Sequence, residues 1–507
     1  MLLSTTALLA LTWAPSHPDE VTSLPGLSGA LRSRIFSGYL KAAANGQTFY
    51  THYVLTESRG SPADDPLVLW QQGGPGSSGF GFGWLAELGP YVLDADSLVK
   101  NVTGAPQLFE REYSWDANAN LLLFEHPPGT GFSYCVDDAD RPVVCTWNDQ
   151  TQADAFYQTL LAFYASFPTY EQKELRLIGE SYAGLLLPFL TAEIYRHPND
   201  TPAKQLKGLA VGNGCPGTSG STPDKRGSCN GPFGSYDTQH VLELAAGHSA
   251  LPRALWDKVR SACGFPCAAP SWSEACDGPF TSECQDLIQQ ADEAIGQFNI
   301  YNFYDNCGDG NQLSASPQVG TLLEHARRYG GRGVGRGGGG GASGDALPST
   351  GGQEYPCGTG KAAAAWANTP AVREALHMKP QSFYGRAWPQ NNMTYTTYTG
   401  ASYDLYPGLL QHVDVLIYNG DVDACVPYNS NGDWVDALAT QQGYEQTEAW
   451  RPWKVRDVPA GYVTSYQANA QHTFKFLTVK QSGHMVPQYQ PERAFSFYSR
   501  WLEGKPF

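Results

Sequence analysis

Basic residues are scarce in this chain. Its 507 residues carry 33 Lys and Arg against 49 Asp and Glu, a formal charge of −16. Nucleic acid and anionic membrane would repel such a surface, so neither is expected as the main partner. Long apolar runs are absent too: nothing past the N-terminus approaches the roughly 18 residues a membrane span needs. No stable span is expected. Zinc spacing is also missing, because Cys263 and Cys267 have no matching second pair at zinc-finger distance. No metal site is expected, and no internal repeat is visible.

What remains is ample for a folded core. Hydrophobic residues make up 41%, with 13 Trp, 28 Tyr and 22 Phe, which excludes disorder as the general state. Eleven cysteines are too few for a small stapled scaffold, too many for ordinary cytosolic use, and odd in number. Leu2 to Ala14 is an uncharged, largely apolar run leading into Ala14-Pro15-Ser16, the small-residue pattern of a cleavage site. Residues 1–16 are therefore expected to be a signal peptide and 17–507 the mature chain. Sequons at Asn101, Asn199 and Asn392 fit the same secretory route, to a vacuole- or lysosome-like compartment or outside the cell.

Leu67 to Trp70, Asn120 to Phe124, Leu175 to Ile178, Val413 to Tyr418 and Thr473 to Val479 are short apolar runs, suited to buried strands of a mostly parallel sheet. Helical patterns follow or separate them at Gln152 to Phe167, Tyr182 to Arg196 and Pro491 to Glu503. Strand alternating with helix indicates an α/β body flanked by helices. The middle differs. Eight of the eleven cysteines fall between Cys215 and Cys357, among helical patterns such as Glu283 to Phe298. Residues of about 216–356 are expected to form an inserted, disulfide-held cap. Within it, the Gly-rich stretch 330–352 is a flexible loop without enough apolar surface to pack.

The chemistry is concentrated at three turns. Leu177-Ile178-Gly179-Glu180-Ser181-Tyr182-Ala183-Gly184 is a strand, a tight turn and a helix start, the geometry that lifts a serine nucleophile to the edge of a sheet. Past the strand ending at Tyr418 lie Asp421 and Asp423, and past the one ending at Val479 lies His484. Serine, acid and histidine thus follow in the order of an α/β-hydrolase. Ser181 would attack a carbonyl, His484 would relay its proton, and an aspartate would fix the imidazole tautomer. The residues alone do not separate Asp421 from Asp423.

Six ordered segments make the pattern specific: Gly73-Gly74-Pro75-Gly76-Ser77-Ser78, Glu87-Leu88-Gly89-Pro90, Pro128-Gly129-Thr130-Gly131-Phe132-Ser133-Tyr134, Gly179 to Gly184, Gly420-Asp421-Val422-Asp423 and Gly483-His484-Met485-Val486-Pro487. Together they resemble the serine carboxypeptidase family, from Leu24-Pro25-Gly26 nearly to the end of the chain. The resemblance implies an α/β-hydrolase fold and the triad Ser181, Asp423 and His484. It implies an oxyanion hole from the N–H groups of Gly74 and Tyr182. It also implies a site for the substrate's C-terminal carboxylate at Gln72, Gly73, Glu87 and Glu180. No cofactor is implied, and the substrate would be a peptide or protein C-terminus. Side-chain carboxyls facing a substrate carboxylate cannot all ionise cheaply, so an acidic optimum is expected.

The chain departs from the family at two positions. Gln72 stands where the family usually has Asn, which lengthens the side chain by one methylene. Ser77 stands where it usually has a cysteine, paired with one matching Cys357. Cys357 or Cys425 is then the odd thiol. Cys135–Cys145, Cys215–Cys229 and Cys284–Cys307 are the expected local bridges, though connectivity does not follow from sequence. Some family members are cut in the cap, and residues 330–352 are the exposed candidate here. A serine carboxypeptidase-like acyltransferase, a non-catalytic binding or protective subunit and a generic esterase or lipase are the competing readings. Glu180 before the serine, where related acyltransferases often carry Asp, favours the peptidase. A homodimer is compatible with the sequence.

Overall fold

A computed structural model of the chain describes residues 17–217, 235–265, 280–296, 298–305, 319–320, 358–396 and 402–507. The proposed signal peptide, Cys229, Cys307, Cys357 and the Gly-rich stretch lie outside these residues.

Thirteen strands of the described residues form one sheet. In chain order they are β1 (Glu20–Val21), β2 (Ile35–Ala44), β3 (Gln47–Thr56), β4 (Leu67–Gln71), β5 (Asn120–Phe124), β6 (Tyr134–Val136), β7 (Pro142–Val143), β8 (Leu175–Glu180), β9 (Leu206–Gly212), β10 (Asp414–Gly420), β11 (Glu445–Val455), β12 (Val458–Gln467) and β13 (Thr473–Val479). The main path runs β1-β2-β3-β5-β4-β8-β9-β10-β13-β12-β11, with β6 paired to β3 and β7 paired to β6. From β5 to β13 every neighbour is parallel. Both margins are antiparallel, β1 to β3 and their pairing with β5 on one side and β11 to β13 on the other. The margins are hairpins. Asn45-Gly46 turns β2 into β3 with both φ values positive, 51° and 73°, as a two-residue loop requires.

The central strands are apolar on both faces, and their alternation sorts the side chains into two layers. Leu67, Leu69, Leu122, Leu177, Val415 and Ile417 join one core. Val68, Trp70, Leu121, Leu123, Ile178, Leu416 and Tyr418 join the other. Helices α1 (Thr151–Ser166) and α2 (Ala183–Arg196) cover the first face, through Phe156, Leu160, Phe163, Leu187, Leu190 and Ile194. The helix Pro491–Leu502 covers the second, with Phe497 and Trp501. Each fully buried Leu, Ile or Phe contributes roughly 1.5–3 kcal/mol. Parallel strands between helical layers, with the functional turns at their C-terminal ends, make this an α/β-hydrolase fold.

Helices α3 (Ser235–Gly247), α4 (Arg253–Cys263) and α5 (Ser282–Ile295) fall between β9 and β10. They enclose a small core of their own: Leu242, Leu251, Val259, Phe265 and Ile288. Here the expected Cys284–Cys307 bridge is corrected. Cys284 bonds Cys263, because packing of α4 against α5 brings their Cα atoms to 5.0 Å. Cys135–Cys145 joins the ends of the short hairpin as expected. Cys215 is in a disulfide.

Candidate active site

β8 ends at Glu180 and α2 begins at Ala183, so Ser181 sits at the turn between them. Its φ is +62°, left-handed for a residue with a side chain. Such a backbone costs of order 1–3 kcal/mol and persists only where neighbours enforce it. Three hydrogen bonds do so here. The Ser181 N–H donates to Gly212 O at 2.9 Å, and its carbonyl accepts from Gly184 N at 2.9 Å and Cys215 N at 3.0 Å. A Cβ on Gly73 would lie 2.6 Å from both Ser181 Cβ and Tyr182 N. Only glycine lets the Gly73-Gly74 turn press against the N-terminus of α2, where first-turn N–H groups offer positive potential.

The acid and the imidazole come from the next two strand ends. Asp423, past β10, is fully buried. Its Oδ2 accepts from His484 Nδ1 at 2.7 Å, Asn213 Nδ2 at 2.7 Å and Val426 N at 3.2 Å. Its Oδ1 accepts from Cys425 N at 2.8 Å. His484 N donates to Tyr301 O at 2.7 Å, and the two rings lie 4.8 Å apart. Burial opposes charge on this imidazole, yet the carboxylates of Asp423 and Glu180 outweigh it and raise its pKa. His484 Nε2 is buried with no hydrogen-bond partner. Asp421 faces elsewhere, its Oδ1 accepting from Gln481 N at 2.6 Å, and burial lifts it to about 6.

Asn213 escaped the sequence reading. It is buried, with Nδ2 on Asp423 and Oδ1 accepting Gly420 N at 3.0 Å, so one amide ties β9 to the acid turn. The only signal was Gly212-Asn213-Gly214 just past an apolar run. Tyr301 escaped as well, because it lies in the insertion, where no strand pattern leads to it.

On the other side of Ser181, Glu180 and Glu87 are both buried. Gln72 bridges them through Nε2, 2.6 Å from Glu180 Oε1 and 3.4 Å from Glu87 Oε1. The indole of Trp70 donates to Gln72 Oε1 at 2.8 Å, which fixes the amide's orientation. The longer side chain therefore still reaches both carboxyls. Burial pushes Glu87 up to about 8, and burial together with Glu87 raises Glu180 well above the usual carboxylate range. Neither Oε2 accepts from an N–H or hydroxyl donor, and the two carboxyls are hydrogen-bonded to one another, which one proton between them makes possible. Glu87 lies on the helical segment Gly79–Leu88, whose far end is clamped by buried Arg111 through Leu85 O at 2.8 Å and Gly89 O at 3.0 Å. No metal-binding cluster of acids, histidines and cysteines occurs among the described residues.

The sequon asparagines differ. Asn101 and Asn199 are exposed. Asn392 is half-buried, its Nδ2 donating to Val143 O at 3.1 Å and its Oδ1 accepting from Arg386 at 2.9 Å.

Comparison with known proteins decides the family. A family model described as serine carboxypeptidase matches residues 25–504. The chain belongs to the serine carboxypeptidase family. Among similar members are the lysosomal protective protein of Mus musculus, 30% identical over 99% of this chain and 98% of that one. Serine carboxypeptidase-like 20 of Arabidopsis thaliana is 30% identical over 96% and 94%. Serine carboxypeptidase 1 of Hordeum vulgare is 29% identical over 96% and 92%. The fold is that of Kex1, a prohormone-processing carboxypeptidase from Saccharomyces cerevisiae, with a TM-score of 0.60 and 20% identity over 96% of this chain and 97% of that one. Membership places the chain among the serine-type carboxypeptidases, hydrolases built on an α/β body.

Proposed function

We propose that the protein removes the C-terminal residue of peptides through an acyl-enzyme on Ser181. The Ser181 hydroxyl attacks the last peptide carbonyl as its proton passes to Nε2 of His484. The N–H groups of Gly74 and Tyr182 hold the developing oxyanion. His484 returns the proton to the leaving amine, the terminal amino acid departs, and water repeats the sequence to free the shortened peptide. Asp423 holds the Nδ1 proton and stabilises the imidazolium.

The observation that carries the choice of a carboxypeptidase over a general esterase is the glutamate pair. Gln72, the Gly73 backbone, Glu87 and Glu180 lie beside the elbow, and the two buried carboxyls there hydrogen-bond to each other, which requires one of them to hold a proton. A protonated carboxyl in that place donates a hydrogen bond to a substrate carboxylate, whereas an ionised one repels it. Binding of a free C-terminus therefore weakens as pH rises towards the Glu87 value of about 8. Turnover needs His484 neutral, so its raised pKa trims the rate at the acid end. The activity is bell-shaped, and free-carboxylate substrates are favoured on the acid side of neutrality.

The route is secretory, ending in a lysosome-like compartment or outside the cell. The Cys135–Cys145 and Cys263–Cys284 disulfides and a lysosomal relative support it. Glycans attach at the exposed Asn101 and Asn199, while the Nδ2 of half-buried Asn392, the atom a glycan would join, already donates to Val143 O.

A blocked dipeptide, its C-terminal amide and its ester are the deciding substrates at about pH 5, with Ser181→Ala as control. Free amino acid released from the free-carboxylate peptide and lost in Ser181→Ala is the expected result. Turnover of the ester alone indicates an esterase. Transfer of the acyl group to an added alcohol in place of hydrolysis indicates an acyltransferase. No turnover of any substrate indicates a non-catalytic subunit.

A further inference from the structure

The acid turn Gly420-Asp421-Val422-Asp423 holds two carboxylates, and only Asp423 touches the imidazole. Asp421 reaches across to the neighbouring turn, which runs from the end of β13 to His484. Its Oδ1 accepts the Gln481 N–H at 2.6 Å. Gln481 has a φ of +59°, a left-handed conformation that a residue with a side chain adopts only when held. Gln490 grips the same residue from the other direction, its Nε2 donating to Gln481 O at 3.1 Å.

The two turns are otherwise laced by their backbones. Asp421 N donates to Val479 O at 3.1 Å and Val422 N to Ser482 O at 3.0 Å. A Cβ on Gly420 would lie 2.1 Å from Gly483 O, so no side chain fits between them. His484 follows Gln481 by three residues. The conformation at Gln481 thus determines where the chain delivers the imidazole.

We propose that Asp421 is a positioning residue: its side-chain oxygen fastens the Gln481 N–H, fixes the turn 481–483 and so sets the reach of His484 Nε2. This rests on the assignment of His484 as the base for Ser181. What the role requires is an acceptor oxygen at that point, not a negative charge. His248 and Arg493 also face Asp421 electrostatically, so charge is the alternative to be separated.

Asparagine keeps the oxygen and removes the charge, and alanine removes both. The readout is the rate at which a fluorophosphonate probe labels Ser181, beside kcat and KM for a blocked dipeptide. Asp421→Ala should slow labelling and kcat by about tenfold or more, the scale of a misplaced catalytic group, with KM little changed. Asp421→Asn should stay within about threefold of the parent, as a rescue by geometry alone. Labelling of Asp421→Ala at the parent rate overturns the proposal, as does an Asp421→Asn variant as slow as the alanine one. Should the alanine variant not fold, Asp421→Asn decides by itself, a near-parent rate supporting the latch and a tenfold loss refuting it. The probe carries no peptide. A protein that labels but does not cleave peptides fails the carboxypeptidase reading and leaves this one standing, whereas a parent that does not label removes both.

Discussion

The two flanks of Ser181 are built on opposite principles. On the imidazole side, both oxygens of Asp423 are taken up by His484, Asn213 and two backbone N–H groups. That carboxylate is buried yet complete, and its charge is stabilised before any substrate arrives. On the glutamate side, Gln72 satisfies one oxygen of each acid, and the two carboxyls otherwise meet each other, a hydrogen bond that needs a proton. One flank is therefore finished by the fold, and the other by a proton. In the proposed function the first flank serves turnover and the second serves recognition.

The comparison is broken most severely from its finished side. Asp423→Asn should leave the fold intact and lower kcat by about 10⁴-fold, since the amide favours the wrong imidazole tautomer. Stopped assays at saturating peptide check it, and a loss below tenfold would mean that the pair does little. Asn213→Ala comes next. It removes one of the donors to Asp423 and the tie to Gly420, so kcat should fall by about ten- to a hundredfold. KM for a free-carboxylate peptide should change little, because the glutamate flank is untouched. An equal loss in KM would contradict the division of labour.

The smallest effect is thermodynamic. Glu180 and Glu87 have pKa values raised in the folded protein. The native state then keeps protons that the unfolded chain has released once pH exceeds the ordinary carboxylate range, so stability falls as pH rises. The melting temperature should be higher at pH 5 than at pH 8, and Glu180→Gln should narrow that gap. A gap unchanged in the variant would assign the pH dependence to other groups.

Much of this site was legible in the sequence, for a physical reason. Ser181, Asp423 and His484 each follow an apolar run, and buried parallel strands announce themselves by composition. Gln72, Glu87 and Glu180 came through resemblance to the family, since nothing in their spacing places them together. Asn213 was hidden because Gly-Asn-Gly after a strand reads as an ordinary turn, and its partner lies 210 residues away. The hairpin of β11 and β12 was hidden too. Its turn is Arg456-Asp457, with φ values of 47° and 63°, where the recognisable signal would be Asn-Gly or Asp-Gly. The Cys263–Cys284 bridge depends on how α4 meets α5, which spacing does not encode. Asp421 and Asp423 follow the same strand, so the residues alone did not separate them; resemblance to the family chose Asp423, and tertiary packing is what aims it at the imidazole.

The most direct test of the central claim is KM as a function of pH for a blocked dipeptide and for its C-terminal amide. If the glutamate flank reads a free carboxylate through a proton it holds, KM for the dipeptide climbs as pH rises towards the Glu87 value of about 8, while KM for the amide stays flat. The rise should shrink in Glu180→Gln and disappear in the Glu87→Gln/Glu180→Gln double variant. Parallel profiles for the two substrates, or a rise that survives the double substitution, would contradict the account.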